Sequence, residues 1–323
     1  MFVKHAVVAL LAPAVTLVAS GIAAQPYPTK PIRIIVPFPP GAATDMQGRF
    51  LALKLGEVFG QQVIVDNRGG ANGTLGLDLA AKAPPDGHTL VLGQTGNLAI
   101  SVSLTKVAYD PMRDFAPISL TLSSPHVIAV HPALPVRSVK ELVALARSRP
   151  GQLNYASTGS GSAGHLGVEL FRKKTKIDLL HIPYKGAVAG FTDVIAGHVV
   201  MIFTSVLSTH NFAKSGKVRL LGVASAKRSA AVPDVPTIAE AGFPDVEVAS
   251  WWGLLAPAAT PKEVVARLNS EVVKIMSSSD ARERIAGPGG DIATSTPQQF
   301  AEYIKTEHAK WGQLIKETGA KVD

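Results

Sequence analysis

Four short stretches of the chain combine glycine with small hydroxyl and amide side chains in a way that suits capture of an anion. They are residues 37–45 (PFPPGAATD), 93–97 (GQTGN), 157–165 (STGSGSAGH) and 183–186 (PYKG). Glycine and alanine let backbone amides approach a ligand closely, and serine, threonine and asparagine add donors without adding charge. Taken singly, each stretch reads as a turn joining a strand to a helix. Four of them at successive strand ends shift the reading toward a site, because the start of a helix presents unpaired N–H groups and a positive dipole end. A small anion fits such a donor set better than a cation does.

Other chemistries are open to the same residues, and their spacing weighs against each. Gly159, Gly161 and Gly164 match the Gly-x-Gly-x-x-Gly of dinucleotide-binding turns. That turn also needs an acidic residue at the end of the following strand, whereas the run from Leu179 ends in Pro183-Tyr184-Lys185 and Asp178 stands at its beginning. Ser160 and Ser162 are not in Gly-x-Ser-x-Gly, since Thr158 and Ser160 hold the positions two before them, so no nucleophile elbow is signalled. His165 and Glu169 would share a helix face and could hold a metal, but nothing nearby supplies a third ligand. His165 reads instead as a hydrogen-bonding residue at a helix start. Lys185 reads either as the complement of a carboxylate or as a solvated loop lysine, and Trp251 and Trp252 as packing side chains. With no set of nucleophile, base and orienting group, the expectation is a binding protein, not an enzyme, with no cofactor and no metal.

These loops need strands before them and helices after them, and the pattern supplies both. β-Branched or apolar runs predict strands at 32–38, 63–66, 89–92, 127–131, 153–157, 179–183, 199–203, 218–224 and 246–255. Helical spacing of Met46, Phe50 and Leu53, and a stretch near 73–83, fills the gaps between the first three. Short apolar runs without clear alternation suit strands buried on both faces of a largely parallel sheet. Ser138 with Glu141, Thr260 with Glu263 and Thr296 with Gln299 form capping-box patterns, with Pro261 and Pro297 at the first helical position. Beyond Thr260 the chain reads as helix only. There is no repeat and no long linker, so two lobes would have to be joined by strands that cross between them.

A length of 323 residues is enough for two domains of ordinary size. Hydrophobic residues at 46% against 17% charged place the chain among globular proteins. Its 32 basic and 24 acidic residues are spread along the chain, which argues against a nucleic-acid surface. Cysteine is absent, which excludes disulfides, thiolate metal sites and a lipoprotein anchor. Lys4 and His5 precede an apolar run at 6–19, and Ile22-Ala23-Ala24 offers small residues before Gln25. This is the pattern of a secretory signal peptide over residues 1–24, cleaved near Ala24, too short to span a bilayer and broken by Pro13. The processed chain would carry 31 basic against 24 acidic residues, or +7.

At this point a family resemblance can be placed on named segments. YPTKPIRIIVPFPPGAATD (27–45), VIVDNRGGANGTLG (63–76), APPDGHTLVLG (83–93), YDPMRDFAPIS (109–119), LNYASTGSGSAGHL (153–166), IPYKG (182–186), VPDVPTIAEAGFPD (232–245) and WWGLLAPAATP (251–261) together resemble the Bug (Bordetella uptake gene) family. These are periplasmic solute receptors of tripartite tricarboxylate transporters. The resemblance implies an α/β type II periplasmic-binding-protein fold, with two α/β lobes joined by crossing strands and the ligand in the cleft. Lobe 1 would be 25–125 plus 250–323 and lobe 2 would be 126–249, hinged at 124–129 and 248–254. It also implies a small organic acid as ligand (a di- or tricarboxylate or an aromatic carboxylate), membrane permease subunits as partners, and a monomer. The site carried over comprises Phe38, Gly41, Ala42, Ala43, Thr44 and Asp45, then Thr95 and Asn97, then Ser157, Thr158, Gly159, Ser160, Ser162 and His165, and finally Tyr184, Lys185 and Gly186. Two departures matter: Gly41-Ala42 stands where the family usually has Gly-Gly, and Thr204 where members often carry Asp. Loss of that acid removes a counter-charge for an amino group, so plain carboxylic acids are favoured over amino acids. A receptor that hands the same ligand to a signalling partner would read alike.

Overall fold

The computed structural model describes residues 27–321, so the leader lies outside the described residues. Its strands are β1 (Ile32–Val36), β2 (Val63–Asn67), β3 (Thr89–Gln94), β4 (Phe115–Val130), β5 (Asn154–Ser157), β6 (Leu180–Pro183), β7 (Met201–Ser205), β8 (Arg219–Val223), β9 (Ala249–Pro257) and β10 (Asp291–Ile292). Between and after them run α1 (Ala43–Phe59), α2 (Thr74–Ala81), α3 (Ser101–Leu104), α4 (Val139–Ser148), α5 (Ala163–Thr175), α6 (Ala187–Ile195), α7 (Val206–Lys214), α8 (Lys262–Met276), α9 (Ser279–Ala281) and α10 (Pro297–Thr318).

The sheet order is β2-β1-β3-β9-β4-β7-β5-β6, with β8 and β10 also paired to β4. Parallel strands build each flank, β2-β1-β3 on one side and β7-β5-β6 on the other. Antiparallel β9 and β4 join the flanks. Residues 115–125 of β4 pair with β9, and from His126 onward the same strand pairs with β7 and β8. The returning segment crosses likewise: Val248 is hydrogen-bonded to His126 and Ala224 in the second half, and Ala249 then begins β9 in the first. Two α/β lobes therefore share two crossing strands, as the expected fold requires.

The β1 sequence shows why these runs become buried strands. Ile34 and Val36 pack beneath α1 and α8 with Phe50, Leu55 and Leu268, while Ile35 faces the other core with Val91 and Phe300. Apolar groups on both faces leave such a strand no stable place except the middle of a two-sided sheet. Trp251 and Trp252 are split between the same two cores by the alternation of a strand. Near the end of the chain, α10 packs on β4 and reaches α5 in the other lobe, where Lys173 Nζ donates to the Glu317 carbonyl at 3.0 Å.

Three local expectations change. β4 begins at Phe115, well before the predicted 127–131; Pro117, Pro125 and its serines hide the strand, and its pairing with β9 slips register twice. Thr260 does not cap α8, whose N-cap is Pro261; its hydroxyl donates to the Pro257 carbonyl at 2.7 Å. A two-residue strand, β10, interrupts the helices after Thr260 and pairs with β4 at Ser123 and Leu122. The Thr296 capping box forms in full.

Candidate functional site

Four helices bring their starts together in the cleft, three of them following the first, third and fourth loops and one following β7. Ala42, Ser162, Gly186 and Ser205 are the N-cap residues of α1, α5, α6 and α7, and all four line one inner cavity of about 40 Å³. Ser162 Oγ accepts from the His165 amide at 3.1 Å and Ser205 Oγ from the Ser208 amide at 3.2 Å, so α5 and α7 are capped by their own serines. Neither Ala42 nor Gly186 provides a side-chain cap. The first-turn amides of α1, from one lobe, and α6, from the other, are thus left to find an outside acceptor. No Asp, Glu, Lys or Arg lines this cavity, so its character is set by dipoles and hydroxyls.

The loop before α1 is held by a carboxylate that faces away from the cavity. Asp45 is buried and accepts from the Gly41 amide at 2.9 Å, Arg49 Nε at 3.0 Å and Asn67 Nδ2 at 2.8 Å. Burial works to raise its pKa, but the hydrogen bonds from Arg49, Gly41 and Asn67 outweigh it and hold the carboxyl below its usual range. Gly41 carries φ +82°, a torsion that a side chain resists. Ala42 is extended at φ −72°, so the torsion peculiar to glycine is needed only at Gly41. Thr44 lines the inner cavity and is fixed by Trp252, whose Nε1 donates to its hydroxyl at 2.9 Å.

The second loop contributes differently from expectation. Thr95 Oγ1 accepts from the Trp251 amide at 2.8 Å, and Asn97 Oδ1 accepts from the Gln94 amide at 2.9 Å. Both residues are buried and line neither cavity described here; their neighbours Gln94 and Gly96 line the inner one. In the third loop, Thr158 lines both cavities, Gly159 and Ser160 only the outer one, and Ser162 and Ala163 only the inner. His165 lies behind the loop, its ring stacked on His181 with centroids 4.2 Å apart. Ser157 Oγ lies 2.7 Å from His181 Nε2 but is fully buried and lines neither cavity. Glu169 is committed to Arg172 at 2.9 and 3.1 Å rather than to a metal. Among the described residues no group of three His, Asp or Glu could hold a metal ion.

The fourth loop divides between the cavities. Gly186, at φ +124°, lines the inner one, while Tyr184 and Lys185 line the outer. Tyr184 OH donates to Asp193 Oδ2 at 2.5 Å, and burial with that neighbouring charge pushes the phenol up to about 12, so it stays protonated. Thr204 and Ser205 at the end of β7 line the inner cavity beside Ser208, Ser250 and His126. His126 is buried, with Nε2 2.8 Å from Ser250 Oγ across the two crossing strands and Nδ1 without a hydrogen-bond partner among the described residues. Burial lowers its pKa from 6.5 to about 3, which keeps the ring neutral. The sequence named Thr204 but not Ser205, Ser208, His126 or Ser250. Only the HVIAV run at 126–130, with its histidine opening a β-branched segment, carried any signal.

The outer cavity, of about 270 Å³, meets the inner one at Phe38 and Thr158, which line both. One wall was not foreseen: residues 70–74 after β2, with Ser101, Leu104 and Thr105. Asn72, at φ +53°, reaches across the cleft, and its Nδ2 donates to the Gly161 carbonyl at 2.9 Å and to Ser101 Oγ at 3.2 Å. The arrangement can envelop a small anion from both lobes; its one serine–histidine pair, Ser250 and His126, has no group hydrogen-bonded to His126 Nδ1 among the described residues to orient the ring as a base.

Known proteins share the fold of this chain. The profile of the tripartite tricarboxylate transporter family receptor, TctC, matches residues 48–320. Protein BugT of Bordetella pertussis (strain Tohama I) is 35% identical over 307 residues, covering 94% of this chain and 94% of its own. The structure of Rpa4515 of R. palustris with adipate superposes with a TM-score of 0.89 at 34% identity, covering 92% of this chain and all of that one. MatC (Rpa3494) from Rhodopseudomonas palustris with bound malate gives 0.85 at 30% identity, over 90% of this chain and all of that one. With its interlobe cleft, its uncapped helix starts and these relatives, the chain belongs to the TctC family of periplasmic solute-binding receptors, the family that includes the Bug proteins, and is not an enzyme.

Proposed function

We propose that the protein captures a small organic acid anion in the inner cavity and delivers it, as a monomer, to the membrane permease of a tripartite tricarboxylate transporter. The observation that carries this reading is the pair of uncapped helix starts, α1 and α6, which meet from opposite lobes in a cavity lined by no charged side chain. A carboxylate placed there accepts hydrogen bonds from both lobes at once, so its binding energy favours the closed arrangement. Export by the leader fits a receptor that works in the periplasm. Closure rotates 126–249 against 25–125 plus 250–323 about the crossing strands at 124–129 and 248–254. The closed surface is what a permease recognises. Neutral His126 and Thr204 in place of an acid leave no counter-charge in the cavity for an ammonium group, which favours carboxylic acids over amino acids. A thermal-shift screen across mono-, di- and tricarboxylates, aliphatic and aromatic, tests this. Ligand at about 100 times its dissociation constant adds ~2.7 kcal/mol of stability, a rise of a few degrees. If no carboxylate moves the melting temperature, the reading fails.

A further inference from the structure

We propose that His126 takes up a proton when a carboxylate enters the inner cavity, so that the receptor binds the acid and a proton together. This rests on the reading that the inner cavity takes a carboxylate. Of the side chains lining that cavity, His126 alone changes charge at ordinary pH; the rest are apolar groups, hydroxyls, the Gln94 amide and the Trp252 indole. Its Nε2 lies 2.8 Å from Ser250 Oγ, and its Nδ1 has no hydrogen-bond partner among the described residues. The ring is buried, with Phe203 edge-on against it at a centroid distance of 5.2 Å. β4, β7 and β9 hold no other titratable side chain. The charged and titratable groups on the remaining elements around it are turned elsewhere. His165 of α5 is stacked on His181, Arg219 of β8 donates to the Leu134 and Val136 carbonyls, and His210 and Lys214 of α7 line a surface groove with residues 231–235. Asp45 of α1 is committed to Arg49, Asp193 of α6 to Tyr184, and Glu247 before β9 is exposed. None of them lines the inner cavity, and burial is the one cause that keeps the empty site's imidazole neutral.

A carboxylate changes that balance. In a space of about 40 Å³ it stands close to every wall, and a buried charge is costly unless opposite charge faces it. The starts of α1 and α6 offer partial charges fixed by the fold. The imidazole is the one wall group that becomes a full cation, and as imidazolium both its nitrogens donate, Nε2 to Ser250 and Nδ1 to the acid. An opposite charge at contact strengthens the hold of such a group on its proton by up to about a thousandfold. That turns a ring neutral at pH 5 into one largely protonated there. The bound state then holds more protons than the free one, so affinity rises as pH falls. By the same linkage, the proton leaves with the acid when the lobes open.

Isothermal titration of the purified protein tests this, with adipate and benzoate as probes beside the acid that most raises the melting temperature in the carboxylate screen. Each is titrated at pH 5 and pH 7 in two buffers of different ionisation heat, because proton uptake appears as a difference between the two observed enthalpies. Subtracting the same measurements on His126→Gln, which keeps an amide for Ser250, removes the acid's own ionisation. Wild type is expected to take up about 0.5–0.9 proton per acid more than the variant at pH 5 and under about 0.1 at pH 7, and to gain about two- to tenfold in affinity over it between the two. Nuclear magnetic resonance of isotope-labelled histidine rings reads the same event in wild type alone: at pH 5 the ring in contact with Phe203 should pass from neutral to imidazolium signals as acid is added. Should the variant fail to fold or to bind, those ring signals decide. Equal enthalpies in both buffers after subtraction, uptake that persists in His126→Gln, or a ring still neutral in the bound state overturns the proposal and leaves the receptor reading standing. Failure of every carboxylate to bind removes the receptor reading itself, and the coupled proton with it.

Discussion

At the scale of single residues, the site depends on close packing and on protonation as well as on hydrogen-bond donors. Gly164, in the first turn of α5, leaves no room for a methyl group: a Cβ there would stand 2.3 Å from the Phe203 carbonyl oxygen. Gly164→Ala is therefore expected to shift α5 away from β7 and to lower stability by about 1–3 kcal/mol, measured by urea denaturation. His126 makes a second case, through its proton. Its folded pKa of about 3 lies below the ordinary 6.5, so the stability gained by keeping it neutral is present above pH 6.5 and is lost as pH falls toward 3. Wild type should lose up to about 1.4 kcal/mol per pH unit more than His126→Gln across that window, in denaturation curves compared from pH 7 to 4. Residue roles were also the least legible part of the sequence. Thr95 and Asn97 have the composition of ligand-binding residues, yet their polar atoms turn to the Trp251 and Gln94 amides. Local pattern reports which donors a loop has, and only tertiary packing decides which way they face.

At the scale of elements, the four loops were legible because each strand-to-helix turn is written locally in glycine, proline and serine. The partners that complete the cavity were not. Ser205, Ser208, His126 and Ser250 come from strand and helix ends far apart in the chain and meet only once β4, β7 and β9 have paired. The open start of α1 invites a test in which stability and binding move in opposite directions. Ala42→Asp supplies the missing cap from within, so α1 should gain roughly 0.5–2 kcal/mol while its own carboxylate occupies the place of the ligand. Melting without ligand should stay level or rise, and the ligand-induced shift should vanish. Retained binding in this variant would move the anion site away from α1. The Asn72 bridge gives a kinetic counterpart. Asn72→Gly keeps the positive φ and removes the contacts to Gly161 and Ser101. The loss of about 1 kcal/mol should appear as roughly fivefold faster ligand release in stopped flow, with little change in the unfolding midpoint.

At the scale of the whole molecule, two lobes were expected from chain length and from the resemblance, and the way they are fused follows from β4. Sixteen residues of one strand serve both halves, and β9 returns beside it. Neither half can lose its sheet without breaking the strand of the other. Calorimetry is therefore expected to show one transition whose van't Hoff and calorimetric enthalpies agree. Two resolved transitions would mean that the crossing strands tolerate separation of the lobes. The long reach of β4 was hidden because its first half carries Pro117, Pro125 and four serine or threonine residues. Pairing with β9, rather than intrinsic preference, makes that segment a strand.

The arrangement of the tryptophans gives the protein a built-in optical reporter. Of the three in the chain, Trp251 and Trp311 are both tied through their indole N–H to the buried carboxylate of Glu307, at 2.9 Å each. Trp252 alone lines the inner cavity, with its indole N–H on Thr44 of the first loop. Any acid that settles against that loop changes the surroundings of one indole over a constant background from two. Ligands can then be ranked by intrinsic emission, without a label, and Trp252→Phe should silence the signal while leaving the other two lit.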